Sequence, residues 1–234
     1  MTIYLTELDS TLYFPSPEEA LTEPNGLLAI GGDLSPARLL TAYYNGIFPW
    51  YSPYQPILWW SPDPRGVLPV AQLHISRSLR KTLNKTSLRF TINHAFMDVV
   101  TACAAPRRYS EDTWITSEFM QSYAVLHEMG QAHSVEVWDN DQLVGGLYGL
   151  SVGKLFCGES MFHRQTDASK LALVALCQHL SRYDAPLIDC QMQNSYLETM
   201  GVQEWPRAEF LRQLAQLREQ SFPAECWQPQ VLTL

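Results

Sequence analysis

Charge is scarce in this chain: 17% of its 234 residues are Asp, Glu, Lys or Arg, against 46% hydrophobic. That balance is too apolar for a disordered chain and supplies a core for one large domain or two small ones. Long apolar runs are missing as well, and none approaches the ~18 residues of a membrane span. The start, MTIYLTELDS, lacks the basic region and apolar stretch of a signal peptide. Cysteines 103, 157, 177, 190 and 226 are far apart, with no C-x-x-C pair. This implies free thiols in a reducing compartment and no zinc site, so a soluble cytoplasmic protein is expected. There is no G-K-[ST] of a phosphate loop and no G-x-G-x-x-G ahead of a helix. The histidines form no H-E-x-x-H, and Gly158-Glu-Ser160 lacks the second glycine of a serine-nucleophile elbow.

What charge there is lies unevenly. Residues 1–64 hold seven acids and one base, Arg38. From Gly66 to Met97 there is no acid, while Arg77, Arg80, Lys81, Lys85 and Arg89 supply positive charge. A local basic patch on a protein of net charge −8 can hold phosphates while the remainder repels polyanions. A solvated helix face would show the same pattern.

The first 64 residues are rich in proline and aromatics, in FPSP, FPWYSPYQP and WWSPDPR. X-Pro pairs favour extended or turn backbone, so this part reads as ordered loop around short elements. One helix is signed there: Ser35 as cap, Pro36 in the first position, Leu39, Leu40 and Tyr43 at helical spacing, and Gly46 as stop. The Pro62–Arg65 run marks a boundary, giving a small N-terminal domain over 1–64 and a larger one over 65–234. In the second, helices are expected at 74–83, 95–102, 117–129 behind Thr116, 168–183 behind Asp167, and 207–218. Strands are expected at 88–92, 133–138, 143–150, 154–157 and 187–192, with a hairpin turn at Asp139-Asn-Asp-Gln142. The class is α+β.

Two segments carry chemistry. LVGGLYGLSVGKLFCGESMF (143–162) is glycine-punctuated and apolar, with a single carboxylate, Glu159. Glycines there leave room for a backbone or a ligand to approach. In the strand Leu187-Ile-Asp-Cys-Gln-Met192, Asp189 and Gln191 are two apart and point to one face. An unpaired buried carboxylate is costly, so Asp189 needs either a structural ion-pair partner or a chemical role. Glu159, following Gly158, reads as a turn carboxylate that backbone amides or a ligand can satisfy. Trp50, Trp59, Trp60 and Trp114 fall off any periodic face; core packing explains some, and aromatics beside a basic patch also form a platform for unstacked bases.

The runs FPSPEEALTEPNGLLAIGGDLSP, AYYNGIFPWYSP, ILWWSPDPRGVL, HISRSLRK, TWIT, AHSVEVW, LVGGLYG, LFCGESMF, ASKLAL and LIDCQMQN closely resemble the bacterial leucyl/phenylalanyl-tRNA–protein transferase family, over nearly the whole chain. The resemblance implies a small N-terminal domain and a GNAT-like acyltransferase domain that uses no cofactor, neither acetyl-CoA nor metal. It implies transfer of leucine or phenylalanine, and less so methionine, from aminoacyl-tRNA to an N-terminal Arg or Lys of a protein, marking it for N-degron degradation. It assigns Asp189, Gln191 and Glu159 to catalysis and Trp50 and Trp114 to the terminal adenosine. Leu147, Phe156, Met161, Leu173, Leu176, Leu180 and Ile188 become the aminoacyl pocket, and Asn194 follows it. Arg77, Arg80, Lys81 and Lys85 would meet acceptor-stem phosphates. The chain departs from the family's pattern at Leu147, Leu176 and Leu180, where relatives carry methionine and phenylalanines, and at Tyr196, where histidine is common. Two rivals share these features: a CoA-dependent N-acetyltransferase, against which the glycine-free loop His163–Ala168 argues, and a non-catalytic RNA-binding module.

Overall fold

Proline and aromatic residues shape the first sixty residues, which the computed structural model describes from residue 5; residues 5–106 and 113–234 are described in all. Strands β1 (Thr6–Leu8), β2 (Leu27–Gly31), β3 (Phe48–Pro49) and β4 (Leu58–Trp60) form a four-stranded sheet in the order β1-β2-β4-β3. Helix α1 (Pro36–Tyr44) begins as its sequence dictates: the Ser35 hydroxyl accepts from the Arg38 amide and proline holds the first position. Gly46, at φ +76°, turns the chain out of the helix.

The remaining strands are β5 (Arg65–Pro69), β6 (Arg89–Ile92), β7 (Ala132–Asp139), β8 (Gln142–Val152), β9 (Leu155–His163), β10 (Leu187–Gln191), β11 (Gln203–Trp205) and β12 (Gln230–Leu232). They form one eight-stranded sheet, ordered β11-β5-β10-β9-β8-β7-β6-β12. The helices are α2 (Arg77–Leu83), α3 (Phe96–Ala104), α4 (Ser117–Glu128), α5 (Ala168–Ser181), α6 (Ser195–Glu198) and α7 (Arg207–Leu217). The α+β expectation holds.

Side chains alternate across the central strands. Leu147 and Phe156 join a core built with α5 and α2, while Tyr148, Leu150 and Cys157 join the opposite core with α3, α4 and α1. Helix α5 is buried nearly all round, which is why its apolar residues exceed a single stripe.

Several expectations change. The strand expected to end at Cys157 runs on to His163, because glycine-rich β8 pairs with it as far as Gly145 opposite His163. Glu159 is therefore a strand residue and not a turn carboxylate. Asp167 does not cap α5; it sits at φ +64° and its carboxylate pairs with Lys170 at 3.6 Å. Helix α2 starts at Arg77, where the Ser76 hydroxyl accepts from the Leu79 amide. Strands β5, β11 and β12 carry too little alternation to be read from sequence.

Arg65, the first residue of β5, joins the parts. Its Nε and Nη2 donate to the two carboxylate oxygens of Asp189 in β10 at 2.8 and 2.7 Å, and its Nη1 donates to the Gly46 carbonyl at 2.9 Å. The guanidinium also lies over the rings of Phe48 (4.9 Å) and Phe210 (4.4 Å). Both charged side chains are 1% exposed. Truncating one partner of such a pair strands the other charge, so Arg65→Ala should lower the unfolding free energy by roughly 3–5 kcal/mol. Urea denaturation of the full chain measures this; an unchanged midpoint would contradict it.

Candidate active site

Strands β9 and β10 run parallel and in register from Leu155 opposite Leu187 to Cys157 opposite Asp189, and there the pairing ends. Both strands bulge at that level. In β9 the register against β8 passes from Gly149–Gly158 to Tyr148–Ser160, which leaves Glu159 as the extra residue. In β10 the register against β5 passes from Asp189–Val67 to Gln191–Gly66, and Gln191 takes a φ of +60°. A bulge bends its strand and re-aims its side chains. Two side by side on neighbouring parallel strands split the sheet, and a cleft of about 740 Å³ occupies the split.

The two sides of the cleft differ. Leu147, Phe156, Met161, Leu173, Leu176 and Ile188 line it from the face that α5 covers. Trp50, Trp114, Glu159 and Gln191 line it towards α1 and α4. Trp50 is 43% exposed and meets Trp60 edge-on at 5.8 Å; the Trp60 indole donates to the Trp50 carbonyl. Trp114 packs edge-on against Phe119 at 5.1 Å. Trp59, by contrast, is wholly buried and donates to the Gly31 carbonyl. Asn194 lines the cleft while its side chain caps α6 through the Leu197 amide.

Two expected site residues lie elsewhere. Leu180 is fully buried and does not line the cleft, because the helical rise carries it about 6 Å beyond Leu176 along α5. Asp189 is 1% exposed and absent from the lining, with both oxygens engaged by Arg65. It acts at one remove: its Oδ1 also accepts from the Gln191 amide at 2.9 Å, which fixes the bulge that turns Gln191 towards Glu159. Asp189 and Gln191 thus do not share one face of a regular strand, since the bulge breaks the alternation. Of the two open readings of Asp189, the geometry bears out the ion pair.

Glu159 stands half-buried in the cleft wall. Its Oε1 accepts from the Tyr43 hydroxyl at 2.7 Å and from Gln191 Nε2 at 3.0 Å; the Tyr123 hydroxyl in turn donates to the Tyr43 oxygen at 2.9 Å. Burial raises the Glu159 carboxyl and the nearby Asp189 charge adds to this, while the donors Tyr43 and Gln191 pull it back, leaving it at about 7. Burial first, and then the Glu159 charge, hold the Tyr43 and Tyr123 hydroxyls well above the usual tyrosine range. Both therefore remain donors at neutral pH. Neither tyrosine stands out as a site residue in the sequence, though a buried tyrosine hydroxyl demands a partner and that demand was the available signal. Burial also pushes the Cys157 and Cys190 thiols up, so neither is a thiolate at neutral pH.

Arg77, Arg80, Lys81, Lys85 and Arg89 are exposed on and after α2. Lys81 and Lys85 border a second depression of about 370 Å³ together with Gln165 and Thr166. His163 and Ser169, at the two ends of the same loop, line the main cleft. One loop thus separates the basic depression from the split in the sheet. Ser169 Oγ lies 2.9 Å from the Tyr196 hydroxyl, and the Lys170 ammonium lies over the Tyr196 ring. Among the described residues no helix is long and apolar enough to cross a membrane, and no three His, Cys, Asp or Glu group as metal ligands.

A family model described as leucyl/phenylalanyl-tRNA protein transferase matches residues 67–215, and one for the N-terminal domain of the same family matches residues 32–63. The leucyl/phenylalanyl-tRNA–protein transferase of Tolumonas auensis is 99% identical over 234 residues, 100% of both chains. Those of Aeromonas hydrophila and Yersinia enterocolitica are 60% and 58% identical, covering 97% of this chain and 97% and 96% of theirs. Likeness to solved structures is remote: a GCN5-related N-acetyltransferase from Kribbella flavida aligns at 8% identity and TM-score 0.36, over 70% of this chain and 58% of that one. The class is that of a transferase, an enzyme that moves an aminoacyl group from tRNA to a protein. Within that class the chain belongs to the leucyl/phenylalanyl-tRNA–protein transferase family.

Replacing Tyr43 by Phe deletes a hydrogen bond to the charged form of Glu159 and should raise its pKa above about 7. A carbon-13 NMR titration of labelled glutamate carboxyls reads this directly; an unmoved or lowered value would contradict the described geometry.

Proposed function

We propose that the split sheet holds the aminoacyl end of leucyl- or phenylalanyl-tRNA, and that the acyl group passes to the α-amine of a protein beginning with Arg or Lys. The observation that carries this is the two-sided cleft: an apolar chamber on one face, tryptophans on the other, and Glu159 with Gln191 between them. The leucine, phenylalanine or methionine side chain fills the chamber of Leu147, Phe156, Met161, Leu173, Leu176 and Ile188. A pocket of that kind discriminates by fit, worth only ~1–3 kcal/mol per methylene, and so accepts several apolar residues. Leucines at 147 and 176 leave it apolar. The terminal adenine stacks between Trp50 and Trp114, and the tRNA backbone passes the loop that ends at Ser169 to reach Lys81, Lys85, Arg77 and Arg80.

An α-amine has a pKa near ~8, so part of it is already neutral at working pH and no covalent nucleophile is needed. Its nitrogen attacks the ester carbonyl; the C–N bond forms, the ester C–O bond breaks, and the amine's proton ends on the departing ribose hydroxyl. Glu159 takes up that proton and passes it on. Its pKa of about 7 suits the task, and Oε1, occupied by Tyr43 and Gln191, leaves Oε2 for the amine. Gln191 orients, and Asp189 with Arg65 positions Gln191. The Glu159 charge favours an acceptor whose first side chain is cationic. The reaction belongs in the cytoplasm, where it marks acceptors for N-degron degradation.

Incubation with labelled leucyl-tRNA and a peptide beginning with Arg should place label at its N-terminus. Binding of deacylated tRNA without product would favour the RNA-binding module, and calorimetric binding of acetyl-CoA would favour the N-acetyltransferase. Glu159→Gln should slow single-turnover transfer by ~10²–10⁴ and abolish the limb in which rate rises with pH through about 7. Retention of both rate and limb sinks the role of Glu159. Changing Arg77, Arg80 and Lys81 together to Ala should weaken tRNA affinity and flatten its salt dependence, by about one unit of slope per lost phosphate contact. If neither moves, the patch is a solvated face.

A further inference from the structure

Of the five glycines between Leu143 and Phe162, the fold itself requires four. A Cβ on Gly145 would lie 2.5 Å from Ala168 Cβ, and on Gly146 2.7 Å from the Val135 carbonyl oxygen. On Gly149 it would lie 2.1 Å from the Cys157 oxygen, and on Gly153, where φ is also +57°, 2.1 Å from that of Leu217. Gly158 differs. Its φ lies outside the left-handed region, and a Cβ there would touch only the Asp189 oxygen at 3.8 Å and Ile188 Cγ2 at 3.9 Å, ordinary van der Waals distances. The protein has room for alanine there, and a strand glycine costs roughly 0.5–1 kcal/mol against it. Neither folding nor packing explains why this position is bare.

The cleft explains it. Gly158 lines the cleft beside the bulged Glu159, one residue past the last β9–β10 pair and facing Ile188 of the apolar chamber. That is the neck between the polar and apolar sides of the split. We propose that Gly158 is a positioning residue for the transfer: its missing side chain keeps the neck open, so that the α-carbon and ester of the aminoacyl group thread between the strands with the carbonyl beside Glu159. A methyl at 158 fits the protein and occupies the path of the substrate. This inference rests on the reading of the cleft as the aminoacyl site.

Gly158→Ala is tested in the full chain against wild type, with Gly149→Ala and Leu173→Trp alongside. For Gly158→Ala the expected result is a Tm no lower than wild type, unchanged affinity for deacylated tRNA, and kcat for transfer from leucyl- and phenylalanyl-tRNA reduced on the order of 10²-fold, with KM changing less. Gly149→Ala should lower Tm. Wild-type transfer by folded Gly158→Ala overturns the inference, and so does a drop in its Tm, which would make this glycine structural too. Leu173→Trp, which fills the chamber, separates the two failures. If it transfers normally, the reading of the cleft falls and the inference with it; if it is inactive while Gly158→Ala transfers normally, only the inference falls.

Discussion

The buried pair of Arg65 with Asp189 is the constraint around which the rest is arranged. Two charges out of water cost several kcal/mol each unless their geometry and remaining hydrogen bonds compensate. Here the guanidinium uses Nε and Nη2 on the carboxylate, spends Nη1 on the Gly46 carbonyl, and lies over Phe48 and Phe210. Those partners come from the end of α1, from β3, β10 and α7. One side chain therefore fixes the small sheet against the large one and fixes the end of β10. Asp189 accepts a third hydrogen bond from the Gln191 amide, which holds the left-handed turn at that residue and aims its side chain at Glu159.

From that fixed end the sheet opens. A sheet normally separates its two faces, and a ligand on one face has no access to the other. Adjacent bulges in β9 and β10 remove the ladder between them, so a single cleft meets the α5 core on one side and the tryptophans on the other. The split thus places an apolar chamber and a pair of tryptophans on either side of Glu159, a carboxylate whose protonation is balanced at about 7. Tyr43 completes that balance from α1, so the small N-terminal part helps to set the protonation of a cleft carboxylate.

Long periodic elements were legible in advance. Helix α4 carries its Thr116 cap and Gly130 stop locally, α5 and α7 their apolar spacing and the β7–β8 hairpin its turn residues, and all appear within a few residues of where the spacing places them. Most of the apolar cleft residues were also legible, through resemblance more than through pattern. The misses have a common physical origin. Strands β5, β11 and β12 are three to five residues long and owe their conformation to partners far away in the chain. Leu180 matches the face of Leu173 and Leu176 by angle but not by height along the helix. Asp189 and Gln191 look equivalent at a spacing of two, and a bulge set by distant pairing makes one a buried anchor and the other a cleft residue.

The sequence by itself determined the class, the longer helices and the family, because periodicity and long motifs are local and survive without coordinates. It also left both carboxylates, Asp189 and Glu159, with a structural and a chemical reading. Which was which came only with tertiary structure: Arg65 lies 124 positions from Asp189, and Tyr43 lies 116 from Glu159. Burial and charge pairing are properties of the assembled space, and they decided that Asp189 holds the fold while Glu159 faces the cleft.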